Sequence, residues 1–202
     1  MKKTLTEFIG TFFLVLGAAL GGPIGASLAL MVMIYAGGHI SGAHYNPAVS
    51  LAVWVSGKLS LGDLIGYWMS QLAGAIAAAL VLANVFIHEG NEMCAIPEDA
   101  IIQGIIAEIL GTFALAYVVL NVATAKGTAG NSFYGLAIGG TVLAMAFSIG
   151  KYSGAVYNPA VALGLSIQKT LCWSQIWIYI VACFGGAILA GLTFKINNPE
   201  DK

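Results

Sequence analysis

The sequence has little charge and no arginine. Only 8% of its 202 residues are charged and 59% are hydrophobic, whereas a soluble domain carries about 25% charged residues. All eight strongly basic residues are lysines, they are scattered, and the formal net charge is −1, which excludes a basic nucleic-acid-binding surface. We therefore expect a polytopic membrane protein that does not bind nucleic acid.

Cysteine is also scarce. Cys94, Cys172 and Cys183 have no metal-ligand spacing, and the histidines do not cluster with them, so we expect no metal and no cofactor. Our interpretation is that all three are unpaired apolar or loop cysteines, and a Cys94–Cys172 bridge is the alternative if both lie outside the membrane. The apolar runs contain no nucleophile–base pair, which argues against an enzyme.

Long apolar runs are what the chain has in abundance. Because the bilayer core satisfies no backbone polar group, such runs cross the membrane as helices. Six are long enough, namely residues 4–21, 24–40, 61–87, 101–123, 132–150 and 172–195. Gly21-Gly22-Pro23 is expected to form a tight turn between the first two.

Two near-identical stretches lie between these runs. Residues 41–49 and 153–161 differ only at His44 and Val156. In each, Asn followed by Pro is a favourable helix start, with Asn as N-cap and Pro at the first helical position. The apolar runs that follow, Asn46 to about Val55 and Asn158 to about Gln168, are roughly 15 Å long as helices, half of a ~30 Å hydrocarbon core.

Two half-helices that enter from opposite faces would meet start to start at the midplane. Each Asn would accept a backbone hydrogen bond with its side-chain oxygen, which leaves its NH2 free to donate. Two such amides with two positive helix ends behind them suit a passing oxygen atom and repel a cation.

The two halves of the chain repeat. Residues 7–12 are echoed by residues 108–113, so we expect one domain, residues 1–202, with repeats at about 1–87 and 101–196. Each half has three crossings, so the second copy is inverted. Eleven extra residues in the second half fall around 126–132.

The lysines predict the orientation. With both termini in the cytoplasm, only Lys151 and Lys169 lie outside, and the acidic loop 88–100 is external. The lysines expected in the cytoplasm are Lys2, Lys3, Lys58, Lys126, Lys195 and Lys202.

The paired Asn46-Pro47-Ala48 and Asn158-Pro159-Ala160 motifs resemble the aquaporin (major intrinsic protein) family. Residues 38–44 and the Glu-x-x-Gly-Thr-Phe openings of both halves are similar to that family too, as are residues 67–75 and 177–179. The resemblance implies an all-α membrane fold of six transmembrane helices and two re-entrant half-helices, in which each subunit of a homotetramer has its own pore. It also implies passive flow of water or small neutral solutes across a cell membrane, without a cofactor.

One position departs from the family pattern. The second Asn-Pro-Ala is normally followed by an arginine of the outer selectivity filter, and here that position is Val161. By the resemblance, the other three filter positions fall at Ala26, Ala146 and Ala155. Four small apolar residues predict a wide filter that admits glycerol, urea or ammonia-like solutes and that slows water by dewetting.

The intramembrane polar residues have two interpretations each. Glu7 and Glu108 are either a proton relay or, as we favour, structural carboxylates that accept backbone N–H groups of the irregular loops. His39 and His44 either line the pore, where they could respond to pH, or make structural hydrogen bonds. The sequence thus predicts a passive channel, and the alternative is a proton-coupled secondary transporter that uses the glutamates.

Overall fold

The computed structural model describes residues 1–86 and 94–201, and these contain helices and no β-strand. The end of the third predicted span, most of the acidic loop and Lys202 lie outside the described residues. The α-helices are α1 Lys2–Ser41, α2 Pro47–Val55, α3 Leu61–Val81, α4 Ile101–Val119, α5 Tyr134–Ile149, α6 Pro159–Ile167 and α7 Ile176–Asn197. Single π-helical turns extend α3 over Leu82–Phe86 and α4 over Leu120–Thr124.

Helix α1 is a hairpin of two crossings. Its 40 residues would be about 60 Å long if straight, twice the hydrocarbon thickness. Gly22 leaves the helical conformation, with φ 55° and ψ −147°, just before Pro23. The two halves of α1 then pack closely against each other. Their backbones approach so closely at Gly17 that an added Cβ there would lie 2.7 Å from the Gly25 carbonyl oxygen.

Five helices in the described part of the chain are long and apolar enough to cross a membrane. Since α1 crosses twice, the six predicted crossings are confirmed. The break at the Gly21-Gly22-Pro23 turn is also confirmed.

The two short helices begin where the Asn-Pro pairs predict. Asn46 caps α2 and Asn158 caps α6, and each side-chain oxygen accepts the N–H groups two and three residues later. Helix α2 packs against α7, and α6 packs against α3. Each half-helix is therefore held largely by a crossing from the other half of the chain.

The prediction of three unpaired cysteines is wrong for two of them. Cys94 and Cys172 form a disulfide with their Cα atoms 4.9 Å apart, and Cys183 alone is free and buried. The spacing of 78 residues carried no signal of this pair. The fold brings the segment before α4 against the segment before α7, which sequence separation does not reveal.

Ion pairs gather at the opposite end of the molecule. Lys3 Nζ lies 3.0 Å from Asp63 Oδ2. The buried Asp201 carboxylate accepts the Lys126 backbone N–H and lies 3.9 Å from the Nζ atoms of Lys58 and Lys126. This end carries lysines that the sequence assigns to the cytoplasm, whereas the disulfide lies at the other end.

Candidate functional site

The two half-helices meet start to start at the centre of the molecule. Asn46 Nδ2 donates to the Tyr157 carbonyl oxygen at 2.9 Å, and Asn158 Nδ2 donates to the Tyr45 carbonyl oxygen at 3.0 Å. Both asparagines are buried, and both line the same cavity. Four of the motif residues, Pro47, Ala48, Pro159 and Ala160, form the first turns behind them.

The sequence predicts that each asparagine NH2 is free to donate, and in the structure one of its two N–H groups donates to the opposing loop. The second N–H of each amide has no protein partner in the described part of the chain. The reciprocal bonds fix the two amides relative to each other. The sequence predicts that the two amides meet, but not that each one donates to the loop that carries the other.

The loops before the half-helices adopt an unusual backbone. Ala43 and Tyr45 have φ near +50°, and so do Ala155 and Tyr157. A left-handed conformation costs about 1–2 kcal/mol for a residue other than glycine, so each loop needs compensating contacts. These contacts come from the two buried glutamates.

Glu7 holds the first loop with four hydrogen bonds. Its Oε1 accepts the Ser41 hydroxyl at 2.6 Å and the His44 N–H at 2.9 Å. Its Oε2 accepts the Tyr45 N–H at 2.7 Å and the Gln71 amide at 2.8 Å. All four partners donate, so the carboxylate acts as a structural acceptor.

Glu108 holds the second loop in the same way. Its Oε1 accepts the Ser153 hydroxyl at 2.6 Å and the Val156 N–H at 2.9 Å, and its Oε2 accepts the Tyr157 N–H at 2.7 Å. The fourth partner is the Cys183 thiol, 3.6 Å away. The contacts agree with the predicted structural role of both glutamates.

Sequence reasoning did not identify Ser41, Ser153 or the tyrosines as partners of the glutamates. The signal was present, because these residues occupy the same places in both nine-residue stretches. Gly10 and Gly111 belong to the same arrangement, since a Cβ on either would collide with the ring of Tyr45 or Tyr157.

The two candidate histidines have different surroundings. His44 is buried, lines the cavity, and its Nδ1 lies 3.0 Å from the Ser50 hydroxyl. That hydroxyl also accepts the Gln71 amide at 2.9 Å. His39 is exposed near the end of α1 and is not among the residues that line the cavity.

The central cavity has a volume of about 100 Å³ and brings all four predicted filter residues together. Ala26 comes from α1, Ala146 from α5, Ala155 from the second loop and Val161 from α6. None of the cavity-lining residues in the described part of the chain is charged. The polar side chains of the lining are His44, Asn46, Tyr157 and Asn158.

Comparisons with known proteins agree with this geometry. Residues 19–194 match the model of the family described as "Major intrinsic protein". Aquaporin NIP3-1 from Arabidopsis thaliana is 35% identical over all of this chain and 69% of its own length, and aquaporin NIP1-1 from Zea mays is 34% identical over all of this chain and 77% of its own length.

A solved structure has the same fold. The aquaglyceroporin from Plasmodium falciparum superimposes with a TM-score of 0.76 at 21% identity, over 99% of this chain and 98% of that one. The family match, the two relatives and the start-to-start half-helices lead to one conclusion. This chain belongs to the major intrinsic protein family and is an aquaporin-like membrane channel for water and small solutes, not an enzyme.

Proposed function

We propose that this channel admits small neutral solutes such as glycerol and urea as well as water, because its outer filter is wide and apolar. The observation that carries the proposal is the lining of the central cavity. Ala26, Ala146, Ala155 and Val161 all contribute to it, and none of them brings a charge or a side chain larger than valine.

The filter chemistry decides which molecules pass. A pore excludes solutes by its diameter and replaces their hydration by the hydrogen-bonding groups along its wall. Small apolar side chains leave room for a solute larger than water but offer few groups that replace hydration. We therefore expect solute flux to be high relative to water flux.

Cations are expected to be excluded at the centre of the pore. There the N-termini of α2 and α6 carry partial positive charge, and each asparagine retains one N–H donor. We propose Asn46 and Asn158 as the polar site that a neutral solute reaches after the outer filter.

The alternative of proton-coupled transport is not favoured. Glu7 has four donors and Glu108 has three donors and a thiol, so both carboxylates are committed to the loops. Neither lines the cavity. A relay would have to break the bonds that hold the strained backbone in place.

The decisive experiment is stopped-flow light scattering on proteoliposomes. Osmotic water permeability is measured first, and glycerol and urea entry are measured on the same vesicles. Clear solute entry supports the wide filter. Fast water flow without solute entry contradicts it.

The matched variant is Val161→Arg, which restores a charged, larger side chain at the filter. We expect glycerol and urea permeability to fall about tenfold or more while water still passes. Val161→Leu is the control for size without charge. Ala146→Phe narrows the same filter from α5, so the test stands even if the buried arginine prevents folding.

We further propose that both termini face the cytoplasm. Two observations support this orientation: lysines cluster at one end of the molecule, and the disulfide lies at the other, where an oxidising environment preserves it. Labelling of an introduced cysteine at Lys3 or Lys151 by a membrane-impermeant maleimide on intact cells tests it.

Two other proposals rest on the sequence and the family. The chain is one domain with inverted repeats at about 1–87 and 101–196, and it assembles as a homotetramer with one pore per subunit. Mass measurement of the detergent-solubilised protein by light scattering tests the tetramer.

A further inference from the structure

We propose that the segment attached by the Cys94–Cys172 disulfide positions the outer filter and so sets which solutes the channel admits. We name this group of residues the external clamp, and it consists of Cys94, Ala95, Ile96, Cys172 and Gln175. The inference rests on the proposed function, because the clamp acts on the loop that carries Ala155.

The clamp segment is held by a disulfide and by hydrogen bonds. The disulfide ties Cys94 to Cys172. Gln175 Oε1 accepts the Ile96 N–H at 3.2 Å, and its amide donates to the Ile96 carbonyl oxygen. Residues 94–97 belong to no helix, so these tertiary contacts hold the segment.

Ile96 adds a packing contact. Its side chain is fully buried beside Gly104 on α4, where an added Cβ would lie 2.7 Å from the Ile96 Cδ1 atom. Both backbone polar groups of Ile96 are satisfied by the buried Gln175 side chain. The clamp is therefore a built contact between the segment before α4 and the start of α7.

The clamp reaches the filter through Ala95. A Cβ added at Gly154 would lie 3.2 Å from the Ala95 Cβ, so the methyl group rests on the Gly154 backbone. Gly154 lines the cavity and directly precedes Ala155. Its φ of +88° is favourable only for glycine, so no side chain separates the clamp from the filter loop.

Ala155 is confined by a second contact. A Cβ added at Gly150 would lie 2.8 Å from the Ala155 Cβ, so this filter residue packs closely on the end of α5. Gly154 and Ala155 thus contact Ala95 on one side and Gly150 on the other, where the Gly154 N–H also donates to the Gly150 carbonyl oxygen at 2.7 Å. Loss of the clamp removes the first contact and lets the loop move outward.

The centre of the pore does not depend on the clamp. Ser153, Val156 and Tyr157 stay bonded to Glu108, and the two asparagines stay bonded to the opposing carbonyl oxygens. Release of the clamp is therefore expected to widen the outer filter without dismantling the channel. The change should appear in selectivity before it appears in assembly.

The test uses reduction of the wild-type protein. Tris(2-carboxyethyl)phosphine is applied in detergent, where it reaches the exposed Cys94. The S–S bond accepts two electrons from the phosphine and two protons, which yields two thiols, and water supplies the oxygen of the phosphine oxide. Thiol titration before reconstitution verifies the reduction.

Permeability to water, glycerol and the larger polyol erythritol is then measured on the same vesicles. We expect the erythritol-to-water permeability ratio to rise about threefold on reduction, because a wider filter lowers the barrier of the larger solute most. Reoxidation should restore the ratio. The ratio does not depend on the number of folded channels, so a loss of protein alone would not change it.

Two variants provide matched controls. In Cys94→Ser/Cys172→Ser the ratio should already be raised and should not respond to the phosphine, although buried Cys183 is still present. Ala95→Gly removes only the contacting methyl and should raise the ratio by a smaller factor while the disulfide is intact. If the double variant fails to fold, reduction of the wild type and Ala95→Gly decide the question.

The outcomes distinguish a failure of the clamp proposal from a failure of the proposed function. An unchanged ratio after verified reduction, in a channel that conducts glycerol, overturns the clamp and leaves the proposed function standing. Absence of glycerol, urea and erythritol flux in both redox states overturns the proposed wide filter and the clamp with it.

Discussion

The two halves of the molecule have the same scaffold but different chemistry. In each half a glutamate accepts hydrogen bonds from a serine hydroxyl and from two backbone N–H groups of a strained loop. A tyrosine hydroxyl from a neighbouring helix donates a hydrogen bond to the carbonyl oxygen of that serine. The equivalent pairs are Glu7 and Glu108, Ser41 and Ser153, Tyr45 and Tyr157, and Tyr67 and Tyr179.

The halves differ in the side chains around this scaffold. The first half carries His44, Ser50 and Gln71, which are joined by hydrogen bonds. The equivalent positions in the second half are Val156, Ala162 and Cys183. The shared hydrogen bonds therefore hold both loops, whereas the cavity lining differs between the halves at His44 and Val156.

The largest effect is expected when the shared scaffold is broken. Glu7→Gln replaces one acceptor oxygen by an NH2 group that faces donors, so hydrogen bonds to the strained loop are lost. We expect a loss of about 3 kcal/mol or more, because a buried network with one partner removed leaves unsatisfied groups. Thermal unfolding in detergent should show a drop in Tm of about 10 °C.

Glu108→Gln is the matched variant in the other half. Its fourth partner is a thiol at 3.6 Å rather than an amide at 2.8 Å. The loss should therefore be smaller, by about 1 kcal/mol. Equal losses for the two variants would mean that the Gln71 contact contributes nothing to the difference between the halves.

A single substitution makes the two nine-residue stretches identical. His44→Val puts the residue of the second stretch into the first and removes a polar group from the cavity lining. We expect water permeability per channel to fall about threefold, because an apolar wall favours dewetting. Stopped-flow measurements normalised to channel number by quantitative immunoblotting check this.

The control for this exchange is Ser50→Ala, which introduces the counterpart of Ala162. It removes the partner of the His44 ring but keeps the ring in the cavity lining. Water permeability should fall less than in His44→Val. If Ser50→Ala lowers it equally, the orientation of the ring and not its presence in the wall controls the flux.

Much of the site was predictable because its signals are local or repeated. The Asn-Pro pairs specify where α2 and α6 begin through the chemistry of a helix start. The echo of residues 7–12 at 108–113 indicates that Glu7 and Glu108 share a role. The disulfide had no such signal, because the contact between Cys94 and Cys172 depends on how the fold brings two distant segments together.

The reciprocal asparagine bonds were missed for a related reason. The sequence indicates that two helix starts meet, but not that the carbonyl oxygens of Tyr45 and Tyr157 turn toward the opposing amides. That orientation follows from the left-handed conformation of both tyrosines. Tyrosine has no preference for this conformation, so the sequence does not reveal it.

The two ends of the molecule differ in how the loops after the half-helices are attached. At the end that carries the disulfide, Cys172 and Gln175 hold the clamp segment through that bond and buried hydrogen bonds. At the opposite end, the equivalent residues are Ser60, which caps α3, and Asp63, which pairs with Lys3. The Lys3–Asp63 contact is at the surface, since the side chains of Lys3 and Asp63 are 52% and 39% exposed.

The smallest effect is therefore expected from Lys3→Ala. An exposed ion pair contributes about 0.5 kcal/mol or less, because water and salt screen it, whereas loss of a native disulfide costs about 2–5 kcal/mol in a small secreted domain. Tm should fall by about 2 °C or less in Lys3→Ala and by several times more in Cys94→Ser/Cys172→Ser. A larger fall in Lys3→Ala would mean that the end opposite the disulfide also depends on a single contact. The erythritol-to-water ratio should not change in Lys3→Ala, because the Lys3–Asp63 pair lies at the end of the molecule away from the filter.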